Sequence, residues 1–374
     1  MSLRVALAGG GTAGHVNPLL ATAHLLKERG HEVHVIGTGE GLEATMVPDA
    51  GFPLTKIPKA PLPRSVSAEA FLVPSKLRAA FTISRTTLKD MDALIGFGGY
   101  VSAPAYVAAA SLGLPYVVQE QNVMPGVANK LGALRADAVS LAFPQTPLKA
   151  RKGRTEFTGM PLRRKIVELG ERRESPEGRR SARLRAAEEL GLDPELPTLL
   201  VMGGSLGALH VNQVLAEGAA LGLLNGYPDM QILHLAGRGK AEEVIAATAQ
   251  APNVRWQVRE YLEEMDLALS VADLVVCRSG AGTVSELGVL GLPAVYVPLP
   301  IGNGEQVRNA ETQIKAGGAL AVKDADFSVS TLSEVVFPLL FDPSRLEEMG
   351  DANRGTSPRD GARLLVDLLE EIVG

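Results

Sequence analysis

One pattern governs what this chain can fold into. A short apolar strand runs straight into glycines and then into a helix, and this happens at the head of each half: residues 4–15 read RVALAGGGTAGH and residues 198–209 read TLLVMGGSLGAL. Further short β-rich runs follow at 31–37, 92–97, 115–119 and 137–143, and near 230–236, 273–277 and 293–298. They are mostly apolar at consecutive positions, which means that both faces of the strand are buried. Helical stretches at 16–29, 102–112 and 126–134 separate strands of the first half. The predicted fold class is therefore α/β, with two doubly wound, Rossmann-like domains facing across a ligand cleft. Residues 171–185, ERRESPEGRRSARLR, contain Pro176 and Gly178, show no apolar stripe and read as a solvated surface excursion.

Composition narrows the partners. A chain of 374 residues, 46% hydrophobic, is long enough to bury two cores. Its net charge of -5 argues against nucleic acid as a partner, because such proteins carry a basic surplus. A single cysteine, Cys277, allows no internal disulfide and suits a reducing compartment, the cytoplasm. The start, MSLRVALAGGG, has too short an apolar run for a signal-peptide core. No stretch approaches the roughly 20 apolar residues that span a bilayer, so contact with a membrane is expected from one side only.

The opening glycines admit three readings. Gly9, Gly11 and Gly14 spell the dinucleotide fingerprint, but that motif also wants an acid closing the second strand, and VIGTGEG offers Thr38 and then Glu40, slightly late. A phosphate-binding P-loop fails because no Gly-Lys-Ser/Thr follows. The third reading is a set of glycine turns at strand carboxyl ends, whose backbone N–H groups and helix N-termini face a ligand. GFGGYVS (96–102), GGSLGA (203–208) and RSGAGTVSE (278–286) repeat the pattern and favour it. GGSLG also matches a hydrolase nucleophile elbow, yet only His210 and His234 follow Ser205, and Asp229 lies five residues before the latter, so no triad order results. His31 and His34 fall on opposite faces of a strand, and no metal site is expected.

The motifs GGGTAGH, GFGGYVS, EQN (120–122), GMPLR (159–163), GGSLGA and CRSGAGTVSELGVLGLPAVYVPLP (277–300) occur in an order that resembles the MurG family, the bacterial N-acetylglucosaminyltransferases of peptidoglycan synthesis. The resemblance covers most of the chain. It implies a GT-B fold with an N-terminal acceptor domain, residues 1–160, to which a C-terminal helix at about 345–374 crosses back, and a donor domain at 161–344. It also implies UDP-GlcNAc as donor, a lipid-linked muramyl pentapeptide as acceptor, no cofactor, and a peripheral position on the cytoplasmic side of the cell membrane. Another lipid acceptor, or a catalytically silent nucleotide-sugar binder, are the alternatives.

Residue by residue, the resemblance assigns Ser205 to the UDP phosphates, Leu262 to the uracil through its backbone, and Glu286 to the ribose hydroxyls. Ala281, Gly282, Thr283, Val284 and Ser285 lie along the donor, Asn122 and Gln306 bond sugar or phosphate groups, and Glu305 lies on the substrate, where a carboxylate accepts from the sugar hydroxyls but cannot donate to them. Arg163 neutralises charge on the leaving pyrophosphate. Thr12, Ala13, Gly14 and His15 close the site from the acceptor side. His15 is the histidine set in a glycine loop, and an ordinary imidazole pKa near 6.5 suits removal of a proton from an attacking hydroxyl. Bracing the loop is the other reading of the same residue. Phosphate charge is assigned to Arg163, Ser205 and helix N-termini in place of a metal ion. The chain departs from the family at Gln119, Met160, Leu206 and Glu305, and at Ala13, where TGG becomes TAG.

Residues 64–90 carry Arg64, Lys76, Arg78, Arg85 and Lys89 against Glu69 and Asp90, with Phe71, Leu72, Val73, Leu77 and Phe81 among them. This suits docking on an anionic inner-leaflet surface. The same pattern also describes an amphipathic helix packed on its own sheet.

Overall fold

The computed structural model describes residues 2–59, 73–203, 207–300 and 304–374. It divides into two compact units, Met1–Arg164 with Pro358–Gly374, and Lys165–Ser357. The first contains β1 (Arg4–Ala8), α1 (Ala13–Glu28), β2 (Glu32–Thr38), α2 (Glu43–Asp49), β3 (Leu54–Ile57), α3 (Val73–Leu88), β4 (Ala93–Gly96), α4 (Gly99–Leu112), β5 (Tyr116–Glu120), α5 (Val127–Gly132), β6 (Ala138–Leu141) and β7 (Arg154–Phe157). The second contains α6 (Arg164–Arg172), α7 (Pro176–Leu190), β8 (Thr198–Met202), α8 (Leu209–Ala220), β9 (Gln231–Leu235), α9 (Glu242–Thr248), β10 (Arg255–Arg259), α10 (Met265–Val271), β11 (Leu274–Cys277), α11 (Ala281–Leu290), β12 (Ala294–Tyr296), α12 (Glu305–Asn309), α13 (Glu311–Ala316), β13 (Ala319–Ala321), α14 (Val329–Thr331), α15 (Phe337–Leu340) and α16 (Pro343–Asn353). A last helix, α17 (Gly361–Val373), belongs to the first unit.

The strand orders are β3-β2-β1-β4-β5-β6-β7 and β10-β9-β8-β11-β12-β13, with every pairing parallel. Alternation along each central strand feeds two cores. In β1, Val5 and Leu7 pack with α1, α2 and α17, while Ala6 and Ala8 pack with α3 and α4. Both faces are covered, which is why these strands read as unbroken apolar runs. In the second unit, Leu199, Val201, Ile232, Val276 and Val295 share a core with Val211 and Leu215 of α8 and with Phe327 and Phe337.

The strands absent from the sequence reading are β3, β7, β10 and β13, the four sheet edges. An edge strand is paired on one side and wetted on the other, so TKI, RTEF and RWQVR lack the continuous apolar signal. The excursion expected at 171–185 is likewise corrected: it folds into the end of α6 and most of α7. Ser175 caps α7 by accepting from the Gly178 N–H at 3.0 Å, Pro176 starts it and Gly191 closes it. Its buried stripe is Ala182, Ala186, Ala187 and Leu190, and it packs against α10. Alanines make a core face without looking like one. Arg183 joins α7 to the sheet through the carbonyls of Pro194, Leu196 and Val271 and the Asp273 carboxylate.

Of the tail expected to return at 345–374, α17 lies on the first sheet, and residues 345–357 stay with the second unit. Leu365, Val366, Leu368 and Leu369 enter the α1 core layer. At its rim Arg29 meets Asp367 and Glu370, each at 2.7 Å, and His31 Nε2 lies 2.9 Å from Glu370. Leu365→Ala is expected to cost about 2–5 kcal/mol, the price of a core cavity. A fall in the urea midpoint of the full chain checks it.

Candidate functional site

In a doubly wound sheet the carboxyl ends of the strands meet the ligand, above all where the strand order reverses. Here the reversal falls between β1 and β4, and between β8 and β11. Both first-unit turns at that point are glycine turns, and they touch. A β-carbon on Gly99 would come within 3.1 Å of the Gly10 carbonyl and 3.7 Å of His15 Cε1. Gly11 has a left-handed backbone, φ +89°, which a side chain would strain. Ser102 Oγ, in the first turn of α4, lies 2.7 Å from the Ala8 carbonyl and 2.8 Å from that of Gly98, its one proton shared between them, tying the β4 turn to the end of β1.

His15 sits in the first turn of α1, half-buried, with Nδ1 3.0 Å from Thr12 Oγ1. Burial lowers its pKa below the ordinary 6.5, against the opposing pull of the Glu43 charge and the Gly10 carbonyl. The ring is neutral at neutral pH and can accept a proton. Thr12 and Gly14 are exposed beside it, and Ala13 is half-buried. Glu40, which the dinucleotide reading would need, faces solvent and pairs with Lys59 at 3.7 Å. The acid that turns back to the β1 glycines is Glu43, three residues later, whose carboxylate accepts from Gly11 N–H at 2.8 Å.

After β5 the EQN motif separates into two roles. Glu120 is buried and accepts from the N–H groups of Asn122 and Gly126 and from Asn129 Nδ2, each at 2.9 Å. Burial raises its pKa against those bonds. Tyr106 donates to Asn129 Oδ1 at 2.8 Å, and Gln121 donates to the Phe97 carbonyl at 2.9 Å. Glu120 and Gln121 build the loop, and Asn122 is the half-buried residue it presents. Gln119 is fully buried, and its amide finds no hydrogen-bond partner among the described residues. Past β7, Met160 is buried and Arg163 half-buried.

In the second unit, Ser205 and Leu206 lie outside the described residues. Gly203 and Gly207 flank them, and α8 follows. At the β11 end, Gly280 caps α11 without a side chain, so the first-turn N–H groups keep their anion-binding character. Of the expected run Ala281–Glu286, Ala281, Val284 and Ser285 turn their side chains inward, whereas Gly282, Thr283 and Glu286 are half-buried. Leu262 is half-buried beyond β10, next to Tyr261, over whose ring Arg238 stacks at 4.7 Å. Glu305 and Gln306 open α12, and Gln306 Oε1 accepts from Leu299 N–H at 2.9 Å, bracing its own loop. The sequence reading missed a network behind these turns: Arg278 donates to the Val297 carbonyl at 2.9 Å and to Asp324, and His210 Nδ1 lies 3.5 Å from the other Asp324 oxygen. Only the position of Arg278 beside a glycine turn signalled it.

Residues 5–141 match the model of the glycosyltransferase family 28 N-terminal domain, and residues 198–365 that of the family's C-terminal domain. This chain belongs to glycosyltransferase family 28. It is 45% identical over 375 residues to the UDP-N-acetylglucosamine--N-acetylmuramyl-(pentapeptide) pyrophosphoryl-undecaprenol N-acetylglucosamine transferase of Nocardioides sp., covering 99% of this chain and 98% of that one. The protein of the same name from Streptomyces coelicolor is 43% identical, with the same coverage. Among solved structures, the crystal structure of Acinetobacter baumannii MurG aligns with a TM-score of 0.77 and 29% identity over 99% of each chain. The fold class of this family 28 chain is GT-B, two parallel-sheet Rossmann-like domains. Asn129→Ala takes a donor from Glu120 and the acceptor from Tyr106, and is expected to cost about 1–3 kcal/mol. Thermal melts of the variant against the parent check it.

Proposed function

We propose that this chain is an inverting glycosyltransferase that moves N-acetylglucosamine from UDP-GlcNAc to the 4-hydroxyl of lipid I, undecaprenyl-pyrophosphoryl-N-acetylmuramyl pentapeptide, giving lipid II for peptidoglycan synthesis. His15 carries the reading. It is a neutral, half-buried imidazole on a glycine turn at the switch point, in a chain that matches transferases of that name along nearly its whole length. The first unit takes the acceptor and the second the donor. The 4-hydroxyl oxygen attacks C1 of the donor sugar from the face opposite UDP and its proton passes to His15. The bond from C1 to the phosphate oxygen breaks, and UDP leaves with the electron pair.

Charge grows on the diphosphate during that step. Arg163, Ser205 and the N-termini of α8 and α11 are the groups that answer it. Glu286 accepts from the ribose hydroxyls and Leu262 offers its backbone to the uracil. Ala281, Gly282, Thr283, Val284 and Ser285 run along the nucleotide, the buried ones through their backbone. Asn122 and Gln306 bond the sugar or phosphates, Glu305 accepts from the sugar hydroxyls, and Thr12, Ala13 and Gly14 line the acceptor side.

The enzyme works at the cytoplasmic face of the cell membrane. No helix among the described residues is long and apolar enough to cross a bilayer. Of the expected docking segment 64–90, residues 64–72 lie outside the described ones, and in α3 Phe81 packs against the sheet core. The apolar stripe that faces outward is on α5 and just beyond it. Val127, Leu131 and Leu134 are 69%, 45% and 47% exposed, with Lys130 and Arg135 between and beside them. Apolar side chains flanked by cations suit an anionic lipid surface. This stripe, with the basic residues of α3, is the docking surface.

Turnover is the direct test. UDP release from UDP-GlcNAc with lipid I, and not with a polyprenyl phosphate sugar of another kind, is the expected result; release only with another lipid, or binding without release, overturns it. In the same assay Glu286→Gln should raise the donor KM about 10-fold, on the scale of a hydrogen bond to a charged group. Val127→Glu with Leu131→Glu should abolish sedimentation with phosphatidylglycerol vesicles and leave turnover of a short-chain soluble acceptor intact.

A further inference from the structure

We propose that Glu43 is a positioning residue for the transfer reaction, its buried carboxylate fixing the Gly9–Thr12 turn and the His15 imidazole that the turn carries. The proposal rests on the reading of His15 as the base.

Glu43 opens α2 and is fully buried. One oxygen takes the Gly11 N–H at 2.8 Å, and the other takes the N–H and hydroxyl of Thr38 at 3.0 and 2.7 Å. The chain is moulded around this group. A β-carbon on Gly10 would sit 2.4 Å from the carboxyl carbon, and one on Gly41 would sit 2.1 Å from an oxygen. A buried carboxylate is costly unless its oxygens are satisfied. Burial here pushes the Glu43 pKa up, but the donors outweigh it and hold the pKa below the usual carboxylate value. The side chain is therefore an anion inside the first unit. A neutral hydrogen-bonding side chain could link Gly11 to Thr38 without that burial of charge.

What the charge adds is its effect on His15. The ring is faced by Thr12 and the Gly10 carbonyl from its own turn, by Gly99 from the β4 turn, and by the field of Glu43 from α2; of these only Glu43 is charged. A negative charge favours the imidazolium that forms when the base takes the proton. The Gly11 bond fixes the loop from which the ring projects. Orientation and charge thus come from one residue that need not touch substrate.

The test is kcat against pH at saturating UDP-GlcNAc and lipid acceptor for the parent, His15→Ala, Glu43→Gln and Thr38→Val. Removing the negative charge lowers the imidazole pKa, so Glu43→Gln should move the acidic limb to lower pH by about half a unit or more. It should also lower the plateau roughly 10-fold, part of the 10²–10⁴-fold that a general base contributes, with donor KM changed little. Thr38→Val removes one donor but keeps the charge and should leave the limb in place. A Glu43→Gln protein that melts like the parent and keeps the parent's limb overturns the proposal. Should that variant fail to fold, Glu43→Asp carries the test by retracting the carboxylate one methylene. A drop in kcat of about 10-fold with donor KM retained is then expected, and parental kcat overturns the proposal. The two readings fail separately: an acidic limb that survives in His15→Ala sinks the base itself, whereas a limb lost in His15→Ala but unmoved in Glu43→Gln sinks only the role of Glu43.

Discussion

Everything in this molecule depends on covering both faces of two parallel sheets. A parallel strand pairs its backbone on both edges and has its side chains buried above and below, so the inner part of each sheet leaves its backbone no unpaired group to offer a ligand. Irregular backbone with unspent N–H groups is displaced to the strand ends. The connections at the carboxyl ends carry the glycines, and reversal of strand order between β1 and β4 brings two of them together. The site is thus a consequence of how the core is closed.

Two buried carboxylates then give the first-unit turns their shape, and their pKa values are shifted in opposite directions. Glu43 and Glu120 each collect three donors. At Glu43 the donors prevail and the pKa falls, while at Glu120 burial prevails and the pKa rises. Glu120 serves as an internal brace for the loop that ends in Gly126, with Asn129 and Tyr106 behind it. Glu43 remains charged next to an imidazole that burial keeps neutral. An anion beside a neutral base is the arrangement that favours uptake of a proton.

The second unit reaches a similar end with a cation. Arg278 is buried behind the β11 turn and spans the carbonyl of Val297 and the carboxylate of Asp324, which also faces His210 at the start of α8. The start of α8, the β11 turn and the residue after β12 are linked through these contacts. The guanidinium is held behind the β11 turn by these partners, out of solvent.

The class of fold and the position of the turns are legible along the chain because both are local. Consecutive apolar residues need two covering layers, and glycines after a strand need a close approach or a left-handed backbone, as at Gly11. The nine central strands were legible for this reason, and so was His15 as the ring set among glycines. The four edge strands were not, since β3, β7, β10 and β13 are recognisable only by the neighbour they pair with. Nor was α7, whose alanine stripe becomes a core face only when α10 lies on it. Nothing local in GEGLE sets Glu43 apart from a surface acid. Tertiary structure alone decided that it points inward, because the energy of a buried charge is set by its donors, and those come from Gly11 on another segment and from Thr38 at the end of β2.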